Sequence, residues 1–257
     1  MQALFDLTGK TAVVTGAGRG IGEGIATLLA EAGANVVCAA RSVDQIENTT
    51  NAINKASGGS NTGGRAVYHQ TDVSSPDAMK ALAQRAVDEF GGLDIWVNNA
   101  GGSLVSQPLA ELPTEEWDKT LAVNLSSVFY SIQAAVPHLR DKSAIVNISS
   151  LAGLEPFPGS AHYSAAKAGV NMLTKTLSME LGPKTRVNTI MPGFVPTDTV
   201  KKALSMEDED FIQLEKDLNL PAGRLGTPQD IAALVLYLVA PASEWITGQN
   251  IALAGKP

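Results

Sequence analysis

The chain has 257 residues, of which 44% are hydrophobic and 18% charged, and its formal net charge is −7 at pH 7. This length and balance are typical of one globular α/β domain with a sizeable core. The negative charge, together with basic runs no longer than Lys201-Lys202, argues against nucleic acid or an anionic membrane surface as a partner.

Cysteine content and the N-terminal residues indicate the compartment. Cys38 is the one cysteine, so an intrachain disulfide is excluded, and a core position in a reducing compartment is the simplest interpretation. The first residues lack the basic start and long apolar core of a signal peptide. The longest apolar run, 231–240, is too short to span a bilayer. We therefore expect a cytoplasmic protein.

The first pattern with chemical meaning is a glycine-rich turn. A β-branched run, 10–15, leads directly into Gly16-Ala17-Gly18-Arg19-Gly20-Ile21-Gly22, and a helical pattern follows as far as Gly33. Such a turn presents free backbone N–H groups and the positive end of a helix dipole, which suit a pyrophosphate. The spacing T-G-x-x-x-G-x-G differs from the common G-x-G-x-x-G, but a strand, turn and helix in this order favour nucleotide binding over a mere tight turn.

The rest of the chain alternates between strands and helices. This alternation implies a mostly parallel sheet covered on both faces, that is, a Rossmann-like, doubly wound α/β fold. No change in composition marks a second domain, so we predict a single domain over 1–257, with a surface loop at 57–64 and a substrate flap around 194–222. The remaining predicted strands are 35–40, 66–70, 93–97, 144–148, 186–190 and 249–253, and the helices are 41–55, 76–90, 114–137, a helix carrying Tyr163 up to Gly182, 199–219 and 227–239.

The segment Tyr163-Ser164-Ala165-Ala166-Lys167 suggests proton transfer. Residues four apart on a helix share a face, so Tyr163 and Lys167 can point to the same place. Free tyrosine titrates at about 10, and a shift to neutrality requires about 4 kcal/mol. An ammonium about 4 Å away at an effective dielectric of about 20 supplies about 4 kcal/mol, before desolvation. We therefore expect Lys167 to lower the pKa of Tyr163, although the motif alone also arises by chance.

Several motifs together resemble the short-chain dehydrogenase/reductase family. Their order and approximate spacing match the family across residues 8–255. The resemblance implies a seven-stranded parallel sheet, a nicotinamide-dependent oxidoreductase, and a homotetramer or homodimer. The motifs are Thr15-Gly16-x-x-x-Gly20-Ile21-Gly22, Asp72-Val73, Asn98-Asn99-Ala100-Gly101, Asn124, Ser149-Ser150, Tyr163 to Lys167, and Pro192-Gly193.

The resemblance also implies a role for each catalytic residue. Tyr163 would donate a proton to the carbonyl oxygen in reduction and accept one in the reverse direction, and Ser150 would hydrogen-bond that oxygen. Lys167 would hold the nicotinamide ribose, and Asn124 would anchor a water that links Lys167 to solvent. Taken singly, Ser150 and Asn124 are more simply a strand-end hydroxyl and a helix residue bonded to backbone. Their joint occurrence favours the catalytic interpretation.

The cofactor predicted from these residues is NADP(H), with NAD(H) less favoured. An acidic residue after the second strand would bind the ribose hydroxyls of NAD and repel a 2′-phosphate, but here that strand runs into Arg41. The guanidinium groups of Arg41 and Arg19 suit phosphate recognition, although both could be ordinary surface charges. The expected cofactor residues are Gly16, Gly18, Arg19, Gly20, Ile21, Gly22, Arg41, Asp72, Val73, Asn98, Ala100, Gly101, Tyr163, Lys167, Pro192, Gly193, Val195 and Thr197.

The substrate is expected between Ser150, Tyr163 and the flap. The surrounding candidates are mostly apolar, which favours an apolar ketone or secondary alcohol, as in carbonyl reductases or hydroxysteroid dehydrogenases, although half of them could be core residues. No cluster has metal-ligand spacing, so no metal is predicted. Residues 199–219 form either a mobile lid or a surface helix. The predicted substrate residues are Leu104, Ser150, Leu154, Phe157, Tyr163 and Phe194, with Gly102, Ser103, Met206 and Phe211 as further candidates.

Two other functions stay open. A 3-oxoacyl-[acyl carrier protein] reductase needs a basic docking surface, whereas Asp208-Glu209-Asp210 in the flap is acidic; Arg140, Lys142 and Lys184 could still form a basic patch. A non-catalytic nucleotide-binding protein is less favoured because the four catalytic residues are all present. The segment Ala254-Gly255-Lys256 departs from the family's usual Asp-Gly-Gly, which puts its packing in doubt.

Overall fold

A computed structural model describes residues 2–58, 63–102, 105–204 and 206–256. Seven strands form one parallel sheet in the order β3-β2-β1-β4-β5-β6-β7. The predicted doubly wound, seven-stranded fold is thereby confirmed. The strands are β1 Thr11–Thr15, β2 Asn35–Ala40, β3 Ala66–Gln70, β4 Leu93–Asn98, β5 Leu139–Ile148, β6 Thr185–Pro192 and β7 Asn250–Leu253.

Local signals set the ends of several helices. Before the helix Pro76–Phe90 (α3), the hydroxyl of Ser75 accepts from Ala78 N, and Pro76 occupies the first helical position; Gly91 then ends the helix in the left-handed region at φ +75°. Among the described residues, the α-helices are α1 Gly20–Glu31, α2 Val43–Ser57, α3 Pro76–Phe90, α4 Thr114–Leu121, α5 Ser127–Ala135, α6 Ala161–Leu181, α7 Asp198–Leu204, α8 Asp208–Leu218 and α9 Pro228–Val239.

The core lies on both faces of the sheet. Strands β1 and β4 are buried throughout, as expected for parallel strands covered on both sides. Neighbouring residues of one strand point to opposite faces, so Val14 packs in the cluster that contains Ile25 of α1, while Val13 packs in the one that contains Met79 of α3. Strand order reverses at β1, between β2 and β4, which opens a crevice at the carboxyl ends of these strands.

Two predicted helices are interrupted. The helix predicted over 114–137 is α4, a π-helical turn at Ala122–Ser126, and α5, which ends at Ala135. The helix predicted over 199–219 is two helices, α7 and α8, because Glu207 caps the start of α8 in a reciprocal capping box with Asp210. Residues 59–62 of the predicted surface loop lie outside the described residues. No helix in the described part of the chain has the length and apolar character needed to cross a membrane.

Candidate active site

A cleft of about 650 Å³ lies at the carboxyl ends of the strands, where their order reverses. The turn after β1, the segments after β2 to β6, part of α4, the start of α6 and residues 194–200 of the flap (residues 194–222) form its walls. It brings together most of the residues predicted from sequence: Gly16, Gly18, Arg19, Gly20, Ile21, Gly22, Arg41, Asp72, Val73, Ala100, Gly101, Asn124, Ser150, Phe157, Tyr163, Lys167, Pro192, Gly193, Phe194, Val195 and Thr197.

Other predicted residues lie elsewhere. Leu154 is exposed and does not line the cleft, and Phe211 is buried against the protein interior. The predicted residues Ser103 and Leu104 lie outside the described residues. A prediction that Leu154 contacts substrate therefore disagrees with the position of its side chain.

The side chain of Asn98 faces the protein interior and not the cleft, contrary to the prediction. Its side chain is buried, accepting from Trp96 Nε1 at 2.9 Å and donating to Asn147 Oδ1 at 2.8 Å. The residue that lines the cleft is its neighbour Asn99, whose Nδ2 donates to the Thr15 carbonyl at 2.9 Å. Successive side chains at the end of a strand point in opposite directions, so Asn98 serves a polar network inside the protein while Asn99 supports the glycine turn.

The glycine turn depends on close approach of backbone atoms. Gly16 and Gly20 have φ of +67° and +57°, which favour glycine. A Cβ on Gly22 would lie 2.1 Å from the Gly16 carbonyl oxygen, so α1 packs directly on the turn. Arg19 stands at the N-cap without a side-chain hydrogen bond to the first turn of α1. The first N–H groups of α1 and its positive dipole end are therefore available to a phosphate, which fits a dinucleotide.

Arg41 and Asp72 lie at the end of the cleft beyond β2. The Asp72 Oδ1 accepts from Ser74 Oγ at 2.7 Å and from Ser74 N at 2.9 Å. These hydrogen bonds, and then the charge of Arg41, lower the pKa of Asp72. Ser42 and Gln45 line the same end, although no sequence motif singled them out.

Ser150, Tyr163 and Lys167 meet at the inner end of the cleft. Ser150 caps a short 3₁₀ helix, where its Oγ accepts from Ala152 N at 3.1 Å, and its side chain is near enough to Tyr163 to act on the pKa of that residue. Lys167 is buried; its Nζ donates to the Ile148 carbonyl at 2.9 Å and lies 5.5 Å from the centre of the Tyr163 ring. The helical spacing of the tyrosine and the lysine thus places both beside the strand-end serine.

Burial has the largest effect on the pKa of the tyrosine. It raises the pKa of Tyr163 to about 12, while the nearby Ser150 hydroxyl acts in the lowering direction. Burial also lowers the pKa of Lys167 to about 8. Burial outweighs any lowering, so the pKa of Tyr163 is raised, whereas the sequence analysis predicted that Lys167 would lower it. Tyr163 is consequently protonated at neutral pH.

Asn124 lies in the π-helical turn, a feature often found at functional sites. Its Oδ1 accepts from Gly102 N at 2.9 Å, and its Nδ2 donates to the Gly102 carbonyl at 3.1 Å and the Thr120 carbonyl at 3.0 Å. A Cβ on Gly101 would lie 2.7 Å from Asn124 Oδ1 and 3.4 Å from Lys167 Nζ. Asn124 therefore holds the segment after β4 close to Lys167, and its role as a water anchor stays a prediction.

The substrate end combines an aromatic pair with a polar rim. Phe157 and Phe194 face each other with ring centroids 6.0 Å apart and planes inclined by 50°. The ion pair between Lys119 Nζ and Glu116 Oε1, at 3.3 Å, contributes to the rim. The sequence alone does not indicate this rim, because its residues come from α4, which carries no motif. Within the described residues, no three His, Cys, Asp or Glu side chains are grouped as for a metal ion.

A family model described as enoyl-(acyl carrier protein) reductase matches residues 16–255. The chain is 40% identical to a 3-oxoacyl-[acyl-carrier-protein] reductase FabG of Chlamydia muridarum, over 97% of each chain. It is 38% identical to a 3beta-hydroxysteroid dehydrogenase 1 of Eggerthella lenta, over 97% of this chain and 94% of the relative. A crystal structure of a dehydrogenase/reductase from Sinorhizobium meliloti 1021 superposes with a TM-score of 0.89 at 36% identity, covering 99% of this chain and 97% of the other. The chain belongs to the short-chain dehydrogenase/reductase family.

As a short-chain dehydrogenase/reductase, the protein is an oxidoreductase of CH–OH or C=O groups that uses a nicotinamide cofactor. The bound dinucleotide supplies or takes up the hydride. The glycine turn, the free N–H groups of α1 and the cleft between Arg41 and Tyr163 fit such a molecule. The family prediction made from the sequence motifs is confirmed.

Proposed function

We propose that the protein is an NADP(H)-dependent reductase of apolar ketones that also oxidises the corresponding secondary alcohols. The observation that carries this proposal is the placement of Ser150, Tyr163 and Lys167 in one cleft, with Lys167 Nζ 5.5 Å from the centre of the Tyr163 ring. Ser150 holds the carbonyl oxygen by a hydrogen bond, and Tyr163 donates the proton to that oxygen as negative charge develops on it. Lys167 holds the ribose hydroxyls, and Asn124 keeps the segment after β4 in contact with Lys167.

The preference for NADP(H) rests on charge at the end of β2. The strand ends at Ala40, and Arg41 follows it into the cleft wall, together with the polar residues Ser42 and Gln45. Arg19 lines the same cleft from the glycine turn. Two guanidinium groups, without a carboxylate on the residues that directly follow the strand, favour a 2′-phosphate over a bare ribose.

Reversing the charge of Arg41 tests this preference. For Arg41→Asp, we expect kcat/KM with NADPH to fall by about 10- to 100-fold, the size of a charge-assisted phosphate contact, while the value with NADH changes little. Lys184→Asp, a matched charge reversal just before the amino end of β6 and away from the cleft, should leave both values unchanged. Steady-state kinetics with each cofactor measure the effect. Equal efficiency of NADH and NADPH with the wild type, or an unaltered preference in Arg41→Asp, would contradict the proposal.

An apolar substrate is supported by the Phe157–Phe194 pair, which lines the same cleft as Ser150 and Tyr163. These rings present hydrocarbon surface, whereas a sugar would need several hydrogen-bonding groups at the same place. The relative from Eggerthella lenta, by its name, acts on a hydroxysteroid. We therefore place cyclic and other apolar ketones first among the substrates.

The second candidate is a 3-oxoacyl-[acyl carrier protein] reductase, and the 40% identity to a protein of that name favours it. The basic patch that could dock a carrier is unsuitable, however. Arg140 pairs with Asp94 at 3.0 Å and Lys142 with Glu244 at 3.8 Å. Arg140, Lys142 and Lys184 lie at the amino ends of β5 and β6, whereas the cleft opens at the carboxyl ends.

A substrate panel separates the candidates. NADPH oxidation is measured with cyclic ketones, free β-ketoacyl thioesters, carrier-linked β-ketoacyl thioesters and keto-sugars. We expect cyclic ketones to give the highest kcat/KM, and Tyr163→Phe to lower kcat by at least about 100-fold with little change in NADPH affinity. Tyr68→Phe, on the exposed strand β3, is the matched control. A carrier-linked thioester at least about tenfold better than its free form would favour the second candidate. NADPH binding without any turnover would indicate a non-catalytic protein.

A further inference from the structure

We propose that Lys256 is a positioning residue of the substrate site. Through an ion pair with Glu155 it fixes the spacing between the flap and the loop that carries Phe157 (residues 151–160, the Phe157 loop). The segment Ala254–Lys256 after β7, which we term the strap, connects the flap to the Phe157 loop. This inference rests on the proposed function, because it concerns where the apolar part of the substrate binds.

The strap is bound first to the base of the flap. The carbonyl of Leu253, at the end of β7, accepts from Gly193 N at 2.9 Å, directly before the flap begins. A Cβ on Gly193 would lie 2.9 Å from Ala254 Cα, so the two backbones are in direct contact. The carbonyl of Gly255 then accepts from Ala222 N at 3.0 Å, at the other end of the flap. The strap therefore contacts the residue that precedes the flap and is hydrogen-bonded to the last residue of the flap.

The next residue of the strap contacts the Phe157 loop. Lys256 Nζ donates to Glu155 Oε2 at 2.8 Å, and the two side chains are 39% and 38% exposed. The backbone of Glu155 is itself fixed, since its N–H donates to the Leu151 carbonyl at 2.7 Å. Phe157 follows two residues later and packs against Phe194 of the flap. The ion pair therefore sets where one ring of the aromatic pair lies relative to the other.

The residues that follow the flap are also held in place by a hydrogen bond and an ion pair. Gly226 N donates to the Phe194 carbonyl at 2.9 Å, and Arg224 forms a two-point ion pair with Asp230 at 2.6 and 2.8 Å. On its opposite side, the Phe157 loop is held by Gln107 N, which donates to the Gly159 carbonyl at 2.8 Å. Loss of the Lys256 contact would thus release the side of the loop that faces the flap.

The contacts that hold Ser150 and Lys167 do not involve the strap. Ser150 Oγ accepts from Ala152 N, which precedes Glu155 at the start of the Phe157 loop, and Lys167 Nζ donates to the Ile148 carbonyl. Loss of the ion pair should therefore alter KM more than kcat. A small ketone that needs both rings for contact should lose affinity, whereas a bulky ketone that fills a wider opening should lose less.

The test compares Lys256→Gln and Glu155→Gln with Lys256→Arg and the exchanged pair Lys256→Glu/Glu155→Lys. We expect the first two variants to raise KM for a small cyclic ketone by about two- to fivefold, the range of a half-exposed ion pair, with kcat and NADPH affinity unchanged. Lys256→Arg and the exchanged pair should restore KM. The control is Lys80→Gln, which removes a surface ion pair with Asp77 on α3, away from the cleft.

A readout that does not depend on turnover is hydrogen–deuterium exchange of the NADPH complex. Residues 151–160 should exchange faster in Lys256→Gln than in wild type or Lys80→Gln. Unchanged exchange, or a KM that stays at the wild-type value in both single variants, would overturn the positioning role. Should the wild type reduce no ketone, the proposed function fails, and exchange of 151–160 alone decides whether Lys256 holds the Phe157 loop.

Discussion

At the scale of single residues, burial acts in opposite directions on two side chains of α6. It raises the pKa of Tyr163 to about 12 and lowers that of Lys167 to about 8. A cation about 4 Å from the phenol oxygen would have supplied about 4 kcal/mol toward ionisation. In this arrangement desolvation of the phenolate has the larger effect on the pKa of Tyr163. At neutral pH both groups are protonated, which suits proton donation to a carbonyl.

This pattern predicts different pH profiles for the two directions of the reaction. Alcohol oxidation requires Tyr163 to accept a proton, and its raised pKa keeps the accepting form scarce at neutral pH. The oxidation kcat should therefore rise with pH, by up to about tenfold per unit from about pH 6 to about pH 8, while ketone reduction, which needs the protonated Tyr163, should change little over the same range. Initial rates in both directions, between about pH 6 and about pH 10, measure this. Identical profiles in the two directions would contradict it.

At the scale of elements, the cap of α9 fixes the end of the flap region. Asp230 Oδ2 accepts from Thr227 N and Thr227 Oγ1 at 2.8 Å each, and the carboxylate also pairs with Arg224. The Arg224 hydrogen bond, followed by those of Thr227, holds the pKa of Asp230 well below its usual range. Asp230 thus connects the start of α9, a core helix, to Arg224 in the segment after the flap.

Asp230→Asn should lower the free energy of unfolding by about 1–2 kcal/mol at neutral pH, because it removes the charge that pairs with a half-exposed arginine. A carboxylate with a depressed folded pKa stabilises above its unfolded value of about 3.9 and loses this contribution as pH falls toward the folded pKa. The difference in the free energy of unfolding between Asp230→Asn and the wild type should therefore be smaller at about pH 3 than at neutral pH. Urea denaturation at both pH values measures it, with Asp217→Asn on α8 as the control. An equal difference at both pH values would refute the electrostatic origin.

At the scale of the whole molecule, the two ends of the parallel strands have different roles, one catalytic and one structural. At the amino ends of the strands, buried Asp94 accepts from Lys10 Nζ, Arg140 Nη1 and Thr11 N, each at 3.0 Å. These contacts join the start of β1 to β4 and β5. The cleft lies at the carboxyl ends of the strands, so stability and catalysis depend on different ends of the same strands. The homo-oligomer implied by the family resemblance stays a prediction.

Asp94→Asn should therefore destabilise the fold without altering the active site. We expect a loss of about 2–3 kcal/mol in the free energy of unfolding, because a buried anion with two cationic partners is removed while those partners are partly exposed. KM and kcat should match the wild type at a temperature where both proteins are folded. Asp141→Asn, at an exposed position of β5, is the control. A change in KM together with unchanged stability would contradict this division of the sheet.

Much of the fold was predictable because its signals are local. Ser75-Pro76 and Gly91 act within one turn of chain, and the predicted bounds of α3 match the structure. The glycine turn and the Tyr163–Lys167 spacing likewise needed no knowledge of distant residues, and the family prediction followed from them. The residues of the candidate site that belong to these motifs therefore came from the sequence.

What only the tertiary structure decided depends on residues far apart in the chain. Whether Asn98 or Asn99 faces the cleft depends on Asn147 and Thr15, and the ion pair of Lys256 with Glu155 joins positions 101 residues apart. The pKa values of Tyr163 and Lys167 likewise depend on how many protein atoms from other elements surround them. Backbone preferences act between neighbours in sequence, whereas desolvation and long-range pairing are fixed only when the whole chain has packed.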